Sequence, residues 1–297
     1  MKKWNQQAVE NEILRIEQFI RDFVLDGEQI VVPVSGGLDS DLVARLCCRS
    51  IGKERIRLFI VIQNEMEEKF LVNARTLARD LDVPLAEIHL EHMNTELITA
   101  LETSGEDRKV FCSKTLLDPA KAKCSVRSAV ISCYQDKGFL IAGTTNKTEK
   151  ELGFFLTFGD NLAHFKPIAH LYQSELKPFA RALGTQKCVI QQEPSAGFWL
   201  GQTDLEDFAY WIINDGPIVF PRRFTDEEVG RAEEIKKELT YEKIDRVLDA
   251  YLCGKNLPEI QKDTGMSEEI MEGLIHIVEK AKRLKNRNIL MEMKRES

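Results

Sequence analysis

Residues 29–40 read QIVVPV followed by SGGLDS, and this stretch decides the fold. QIVVPV is nearly all apolar, which predicts a buried strand. Pro33 has no amide to donate, so it belongs at the strand's last ladder position. The chain then passes through Ser35-Gly36-Gly37-Leu38-Asp39-Ser40 into a helical pattern carried by Leu42, Val43, Leu46 and Cys47. A glycine-rich turn between strand and helix is a phosphate cradle. Gly36 and Gly37 are free to take positive φ and let amides approach an anion. Ser35 and Ser40 add hydroxyl donors, and the helix start adds the positive end of its dipole. The Walker ending Gly-Lys-Ser/Thr is missing, as is the dinucleotide spacing G-x-G-x-x-G. Asp39 would repel a phosphate unless a divalent cation lay between them, so it predicts Mg²⁺. The competing reading is a tight turn with Asp39 and Ser40 as helix caps.

Outward from this loop, helical and strand patterns alternate. Residues 7–25 are helical, 57–62 (RLFIVI) a strand, 67–81 a helix, and 85–90 (LAEIHL) a strand. Helical patterns at 93–103 and 118–136 precede a strand at 139–142 (FLIA), which enters GTTNKTE. This order predicts an α/β fold, a doubly wound parallel sheet covered by helices on both faces, with ligands beyond the carboxyl ends of the strands. After about residue 170 the pattern is helical: 174–183, 204–213, 226–237, 242–253, 256–263 and 267–283. The expectation is one domain over 1–297 with a helical C-terminal part at about 226–290.

The 297 residues carry 41 Lys and Arg against 48 Asp and Glu, a net charge of −7, which argues against a general nucleic-acid binder. No stretch reaches the ~20 apolar residues of a membrane span. The basic N-terminus lacks the apolar region of a secretory signal. Seven cysteines, at 47, 48, 112, 124, 133, 188 and 253, form no C-x-x-C pair. They predict a reducing, cytoplasmic setting and thiols that mostly serve as small buried hydrophobes.

The SGGLDS loop resembles the pyrophosphate-binding loop of the N-type ATP pyrophosphatases, which cleave ATP between the α and β phosphates. A second block narrows the family. Gly143-Thr144-Thr145-Asn146-Lys147-Thr148-Glu149, then Gly153-Phe154-Phe155-Leu156-Thr157-Phe158-Gly159-Asp160, is similar to a block of ammonia-dependent NAD synthetases. Taken alone, this block reads equally as a strand-to-helix turn with Glu149 in a capping position. Further segments follow in the family's order: Pro167-Ile168 to Glu175, Glu193-Pro194-Ser195-Ala196-Gly197-Phe198-Trp199 with Gly201-Gln202-Thr203-Asp204, and Tyr241-Glu242-Lys243-Ile244-Asp245. The resemblance spans roughly residues 8–290.

The resemblance implies a fold like the adenine nucleotide alpha-hydrolases. It implies ATP and Mg²⁺ as cofactors, and adenylation of the deamido-NAD carboxylate followed by amidation with ammonia. Ser35, Gly36, Gly37, Asp39, Ser40, Thr144 and Ser195 would bind ATP, with Asp39 and Ser40 at the reaction centre. Asp39 and Glu149 would hold the metal. Arg127, Asp160, His164 and Lys285 would contact the substrate. A homodimer is implied as well, with no nucleic-acid or membrane partner.

Three positions depart from the family. Ser125 replaces an arginine that contacts deamido-NAD, His164 an acidic residue, and Gln173 a lysine that binds ATP. A glutamine cannot supply a lysine's charge, so Lys166, Lys147, Lys177 and Lys285 are candidate substitutes. These departures leave open a paralogue that amidates another carboxylate, or a non-catalytic nucleotide binder. The segment 210–224 (YWIINDGPIVFPRRF) either reshapes a substrate pocket through Trp211, Phe220, Arg222 and Arg223 or packs on the surface. Residues 256–283 resemble helix-turn-helix, but Glu268, Glu269 and Glu272 favour packing over DNA reading. His89-x-x-His92 lacks a third metal ligand. The basic run 280–287 is expected to complement its helix dipole, or to reach a substrate phosphate.

Overall fold

Strand β1 (Ile30–Pro33) pairs in parallel with β2 (Ile56–Ile62) on one side and with β4 (Leu140–Ile141) on the other. β2 in turn pairs in parallel with β3 (Leu85–His89), so the order is β3-β2-β1-β4. This computed structural model describes residues 2–64, 66–102, 119–156, 159, 161–197, 200–217 and 223–287. Pro33 is the last residue of β1 and still faces Phe59 in register. The missing donor thus falls where the ladder ends, and Val34 resumes it with a bond to the Phe59 carbonyl at 2.8 Å.

Alternate strand residues feed two cores, which is why the strands read as unbroken apolar runs. Ile30, Val32, Ile56, Leu58 and Ile60 face one layer, with α1 (Gln6–Phe23), α2 (Leu38–Ile51) and α3 (Glu68–Leu81). Val31, Phe59, Val61 and Ile141 face the other, where α5 (Pro119–Asp136) brings Ile131 and stacks Tyr134 on Phe59 at 4.9 Å. α4 (Met93–Glu102) packs beside α5. The N-cap Asn5 starts α1 by accepting the Ala8 amide at 2.8 Å. Val9, Ile13, Ile16 and Ile20 then bury one stripe.

A third apolar core is built mainly by helices. It draws on α9 (Asp204–Ile213), α10 (Asp226–Glu238), α11 (Tyr241–Leu252), α12 (Leu257–Thr264) and α13 (Glu268–Arg287), with Leu152 and Tyr172 reaching in from the first half. Here Ile260, Ile270, Met271, Leu274 and Ile277 are buried, so the helix-turn-helix pattern is packing. Trp211 also lies in this core, 5.2 Å from Phe154 and 6.3 Å from Phe208. Asp215, in the same segment, is tied to α13 by His276 at 2.6 Å and Lys280 at 2.7 Å. Lys280, in the basic run, is therefore an anchor for that segment. Phe220 and Arg222 lie outside the described residues.

α6 (Lys147–Leu152) follows β4 directly, and a single 3-10 turn at Gln173–Glu175 leads into α7 (Leu176–Ala182) and α8 (Lys187–Gln191). α6 and α8 are short and were not separately expected.

Candidate active site

β1 and β4 are neighbours, yet the chain leaves β1 towards β2 and returns only later through β4. This is the switch point at which a doubly wound sheet opens a crevice. The loops after these two strands, 34–37 and 142–146, carry Ser35, Gly36, Gly37 and Thr144, and the helices that follow them carry Asp39, Ser40 and Glu149.

The phosphate loop is held from within. Ser40 is 2% exposed; its hydroxyl accepts the Ser35 amide at 3.1 Å and donates to the Gly37 carbonyl at 3.1 Å. The Ser35 hydroxyl accepts the Gly37 amide at 3.2 Å. Gly36 has φ +78°, as expected, because the turn runs hard against α3. A Cβ there would collide with the Phe70 carbonyl oxygen and lie 2.7 Å from that residue's carbonyl carbon and Cα. Asn73 of α3 clamps the same residue, donating to the Gly36 carbonyl at 3.0 Å. Gly37 differs from expectation: its φ is −93°, and it serves as the N-cap residue of α2. Asp39 and Ser40 are therefore inside the helix and not its caps.

Asn146 joins the two loops, and the sequence reading gave it no role. Its side-chain amide donates to Asp39 Oδ1 at 2.8 Å and to Gln173 Oε1 at 2.7 Å. Its Oδ1 accepts the Glu149 amide at 3.0 Å, and Glu149 Oε2 accepts the Asn146 amide at 3.0 Å. This is a complete capping box on α6. N-x-x-E at a strand end is its sequence signal, but that signal says nothing of Asp39. Both predicted metal-binding carboxylates, Asp39 and Glu149, thus converge on one buried asparagine.

Burial pushes the Asp39 carboxyl up to about 6, against the pull of Asn146, its own backbone amide and Gln173. Its support comes from neutral donors, and a nearby dication would relieve it. Among the described residues no group of three or more His, Cys, Asp or Glu side chains forms a metal cage. Mg²⁺ binds through one or two carboxylates and keeps waters and substrate phosphates as its other ligands. The donor set fits such an ion.

Beside this pair lies a cavity of about 120 Å³. Ser35, Thr144, Ser195 and Arg127 line it, together with apolar walls that include Phe59 and Phe70. The structure therefore brings four of the predicted residues to one place. Arg127 donates to Gln63 Oε1 at 2.9 Å, which steers the guanidinium from α5. Ser125 is exposed on α5. His164 is exposed, and its Nδ1 accepts the Ile141 amide at 2.9 Å, so it continues the edge of β4. Lys285 falls within α13, and its side chain, like Asp160, lies outside the described residues.

Gln173 lies at the Asp39–Asn146 junction. It is 6% exposed and lies under Asn146. The side chains of three proposed substitutes are among those described. Lys147 sits 4.1 Å over the Tyr172 ring, Lys166 bonds Asn161 and sits 5.7 Å from Phe155, and Lys177 is exposed on α7. Of the cysteines, Cys47 and Cys124 are buried, whereas Cys133, Cys188 and Cys253 are exposed, which is more exposure than expected. His89 pairs with Glu91 at 2.8 Å and gathers no metal cluster among the described residues.

The comparisons agree with this geometry. A family model described as NAD synthase matches residues 12–238. The NH(3)-dependent NAD(+) synthetase of Methanocaldococcus jannaschii is 26% identical over 277 residues, covering 92% of this chain and 93% of that protein. That of Archaeoglobus fulgidus is 34% identical over 203 residues, covering 67% and 78%. Among solved structures, the NMN synthetase from Francisella tularensis aligns over 98% of this chain and 99% of its own, with a TM-score of 0.69 and 19% identity. The NH3-dependent NAD synthetase from Campylobacter jejuni aligns over 97% and 99%, with a TM-score of 0.66 and 21% identity. At those identities the solved structures speak for the fold. The chain belongs to the NAD synthase family.

Proposed function

We propose that this protein is an ATP-dependent amide ligase that adenylates the carboxylate of deamido-NAD and amidates it with ammonia, yielding NAD⁺, AMP and pyrophosphate. The observation that carries the proposal is the Asn146 junction, which places Asp39 of the phosphate loop beside Glu149 at the sheet's switch point. The chain is similar over nearly its whole length to proteins named as NH(3)-dependent NAD(+) synthetases.

In this reading Ser35, Gly36 and the amino end of α2 receive the departing pyrophosphate, because loop amides and the helix dipole favour accumulating negative charge there. Ser40 keeps the loop in shape. Thr144 and Ser195 hold the nucleotide from opposite sides of the cavity, and Arg127 stands on its wall for an anionic group of either substrate. Asp39 and Glu149 hold Mg²⁺, which would neutralise phosphate charge. The substrate carboxylate oxygen attacks the α-phosphorus, and the bond to pyrophosphate breaks. Ammonia then attacks the acyl carbon and AMP leaves. Adenylation activates the carboxyl by itself, so no protein nucleophile is required. Phe59 and Phe70 limit water at the activated ester.

The substrate roles of Asp160, His164 and Lys285 belong to the same proposal, as does a cytoplasmic homodimer. Phe19 and Phe23, one helical turn apart and exposed on α1, offer apolar surface to a second copy. No described helix is long and apolar enough to cross a membrane.

The test is formation of NAD⁺ from deamido-NAD, with ATP, Mg²⁺ and ammonium all required and with AMP and pyrophosphate formed in equal amounts. Oxygen-18 in the carboxylate should appear in AMP. NAD⁺ formation without label transfer would remove adenylation. No NAD⁺, with pyrophosphate release driven by another acid, would remove deamido-NAD as the substrate.

A further inference from the structure

Helix α11 opens with Tyr241-Glu242-Lys243-Ile244-Asp245, and none of the chemistry above uses it. Tyr241 and Asp245 are four residues apart and so share one face of the helix. That face meets both ligand loops.

Asp245 has no exposed surface. Its Oδ1 accepts the Thr148 hydroxyl at 2.5 Å, and its Oδ2 accepts the Ser174 amide at 2.8 Å. The Thr148 hydroxyl also accepts the Gln173 amide at 2.9 Å. Thr148 lies between Asn146 and Glu149 in sequence, and Gln173 bonds Asn146 directly. One carboxylate of α11 therefore closes around the segments that present Asn146, Glu149 and Gln173 to Asp39.

Tyr241 acts on the opposite loop. Its hydroxyl donates to Asp204 Oδ2 at 2.9 Å, and the Asp204 amide donates to the Pro194 carbonyl at 3.1 Å. The Ala196 amide also approaches the Asp204 carboxylate. Asp204 is 6% exposed, and its Oδ1 has no hydrogen-bond partner. Residues 195–197, which line the nucleotide cavity, are thus suspended from Asp204, and Asp204 from Tyr241.

We propose that the first turn of α11 is a clasp for the reaction, in which Tyr241 and Asp245 are positioning residues that set the Ser195 segment against the Asp39–Asn146 junction. Neither touches a reacting atom. The helical core would thereby govern how the nucleotide is gripped. This rests on the assignment of ATP to the cavity between these loops.

A residue that merely glues two cores together would, when altered, lower stability and disturb both substrates alike. A clasp acts on the nucleotide. The test uses Tyr241→Phe, which keeps the ring that packs on Phe208 and removes only the hydroxyl, together with Thr148→Val and its conservative counterpart Thr148→Ser. The readouts are KM and kcat for each substrate, the thermal midpoint, and calorimetric binding of an α,β-methylene ATP analogue with Mg²⁺. We expect Tyr241→Phe and Thr148→Val to weaken the analogue and raise the KM for ATP at least tenfold, with the KM for deamido-NAD within twofold. Thr148→Ser should restore the nucleotide parameters. Wild-type analogue binding in both weakened variants overturns the clasp. So does a parallel decline for both substrates that follows the thermal midpoint. Analogue binding remains readable whichever acid is amidated, so failure of the deamido-NAD assignment is distinguishable from failure of the clasp.

Discussion

Gly36→Ala tests whether the phosphate loop works by its close approach to α3. At φ +78° an L residue bears a left-handed penalty of about 1–2 kcal/mol. The added methyl would also collide with the Phe70 carbonyl oxygen and lie 2.7 Å from its carbonyl carbon, in a helix backbone that cannot rotate away. Forcing a methyl into such a contact typically costs about 1–3 kcal/mol. The sum, about 2–5 kcal/mol, lies below the stability of most domains of this size, so the protein should still fold. Reaching an ordinary carbon contact of ~3.5 Å requires the loop to move by about an ångström. A displacement of that size at a reacting site costs about 100-fold in rate, or about 2.7 kcal/mol of barrier. The assay is pyrophosphate release with ATP, Mg²⁺, ammonium and deamido-NAD, beside a urea unfolding curve. Gly37→Ala supplies the control, since its φ is −93° and its Cβ would meet only the Ser35 hydroxyl, at 3.2 Å. We expect less than a tenfold loss there. If Gly36→Ala releases pyrophosphate within twofold of wild type at an unchanged unfolding midpoint, the close-approach argument is wrong.

Three further outcomes follow from the site. Asp39→Asn should abolish pyrophosphate release while keeping the fold. Its thermal midpoint in metal-free buffer at pH 8 should equal or exceed that of wild type, because the ionised carboxylate is disfavoured there; wild-type turnover would remove Asp39 from the metal. Asn146→Ser keeps an N-cap on α6 but cannot reach Asp39 and Gln173 together, so kcat/KM for ATP should fall at least tenfold, and a loss below twofold would show that the junction is dispensable. Burial raises the Asp204 carboxyl from 3.8 to about 7. A carboxyl raised in the folded state stabilises the fold while protonated, so this contribution is lost as pH rises from about 4 to about 7 and stays lost above that. Between pH 5 and pH 8 the loss is about 3 kcal/mol. Urea unfolding in metal-free buffer at those two pH values should show a loss smaller by about 3 kcal/mol in Asp204→Asn than in wild type, with the buried Asp39 and Asp245 carboxyls, each raised to about 6, contributing to both, and parallel profiles would refute it.

The fold was legible wherever burial is written into contiguous residues. RLFIVI and QIVVPV mark strands covered on both faces, and the observed bounds agree to within a residue or two. FLIA predicts four strand residues, but only Leu140 and Ile141 form β4, and Ala142 continues it as a single parallel bridge to Phe165. The phosphate loop was legible because strand, glycines and helix are adjacent in the chain. The groups that organise the site were not, because their partners are remote: Asn146 lies 107 residues from Asp39, Thr148 97 from Asp245, and Tyr241 37 from Asp204. A string shows Tyr241 and Asp245 as a motif but does not show what a helix face four residues wide will touch.

Gln173 shows most plainly what the sequence could not reveal. Read beside its family it is a missing cation, and the natural response is to look for a lysine that takes its place. In the fold, Gln173 is a buried neutral group whose Oε1 takes one hydrogen of the Asn146 amide while the other goes to Asp39. A lysine at the same depth would set a charge against Asp39 and pull its carboxyl down. Instead, the side chains that lower the Asp39 carboxyl are the amides of Asn146 and Gln173, and burial outweighs them. A carboxylate supported by amides alone keeps its charge available to a cation brought in from outside the chain. In the proposed reaction a glutamine here would therefore shift the demand for positive charge from the protein to Mg²⁺ and the nucleotide it accompanies, and Gln173→Lys should weaken the dependence of ATP binding on Mg²⁺. Unaltered Mg²⁺ dependence in that variant, measured by calorimetry with the methylene analogue, would show that Asp39 does not feel position 173.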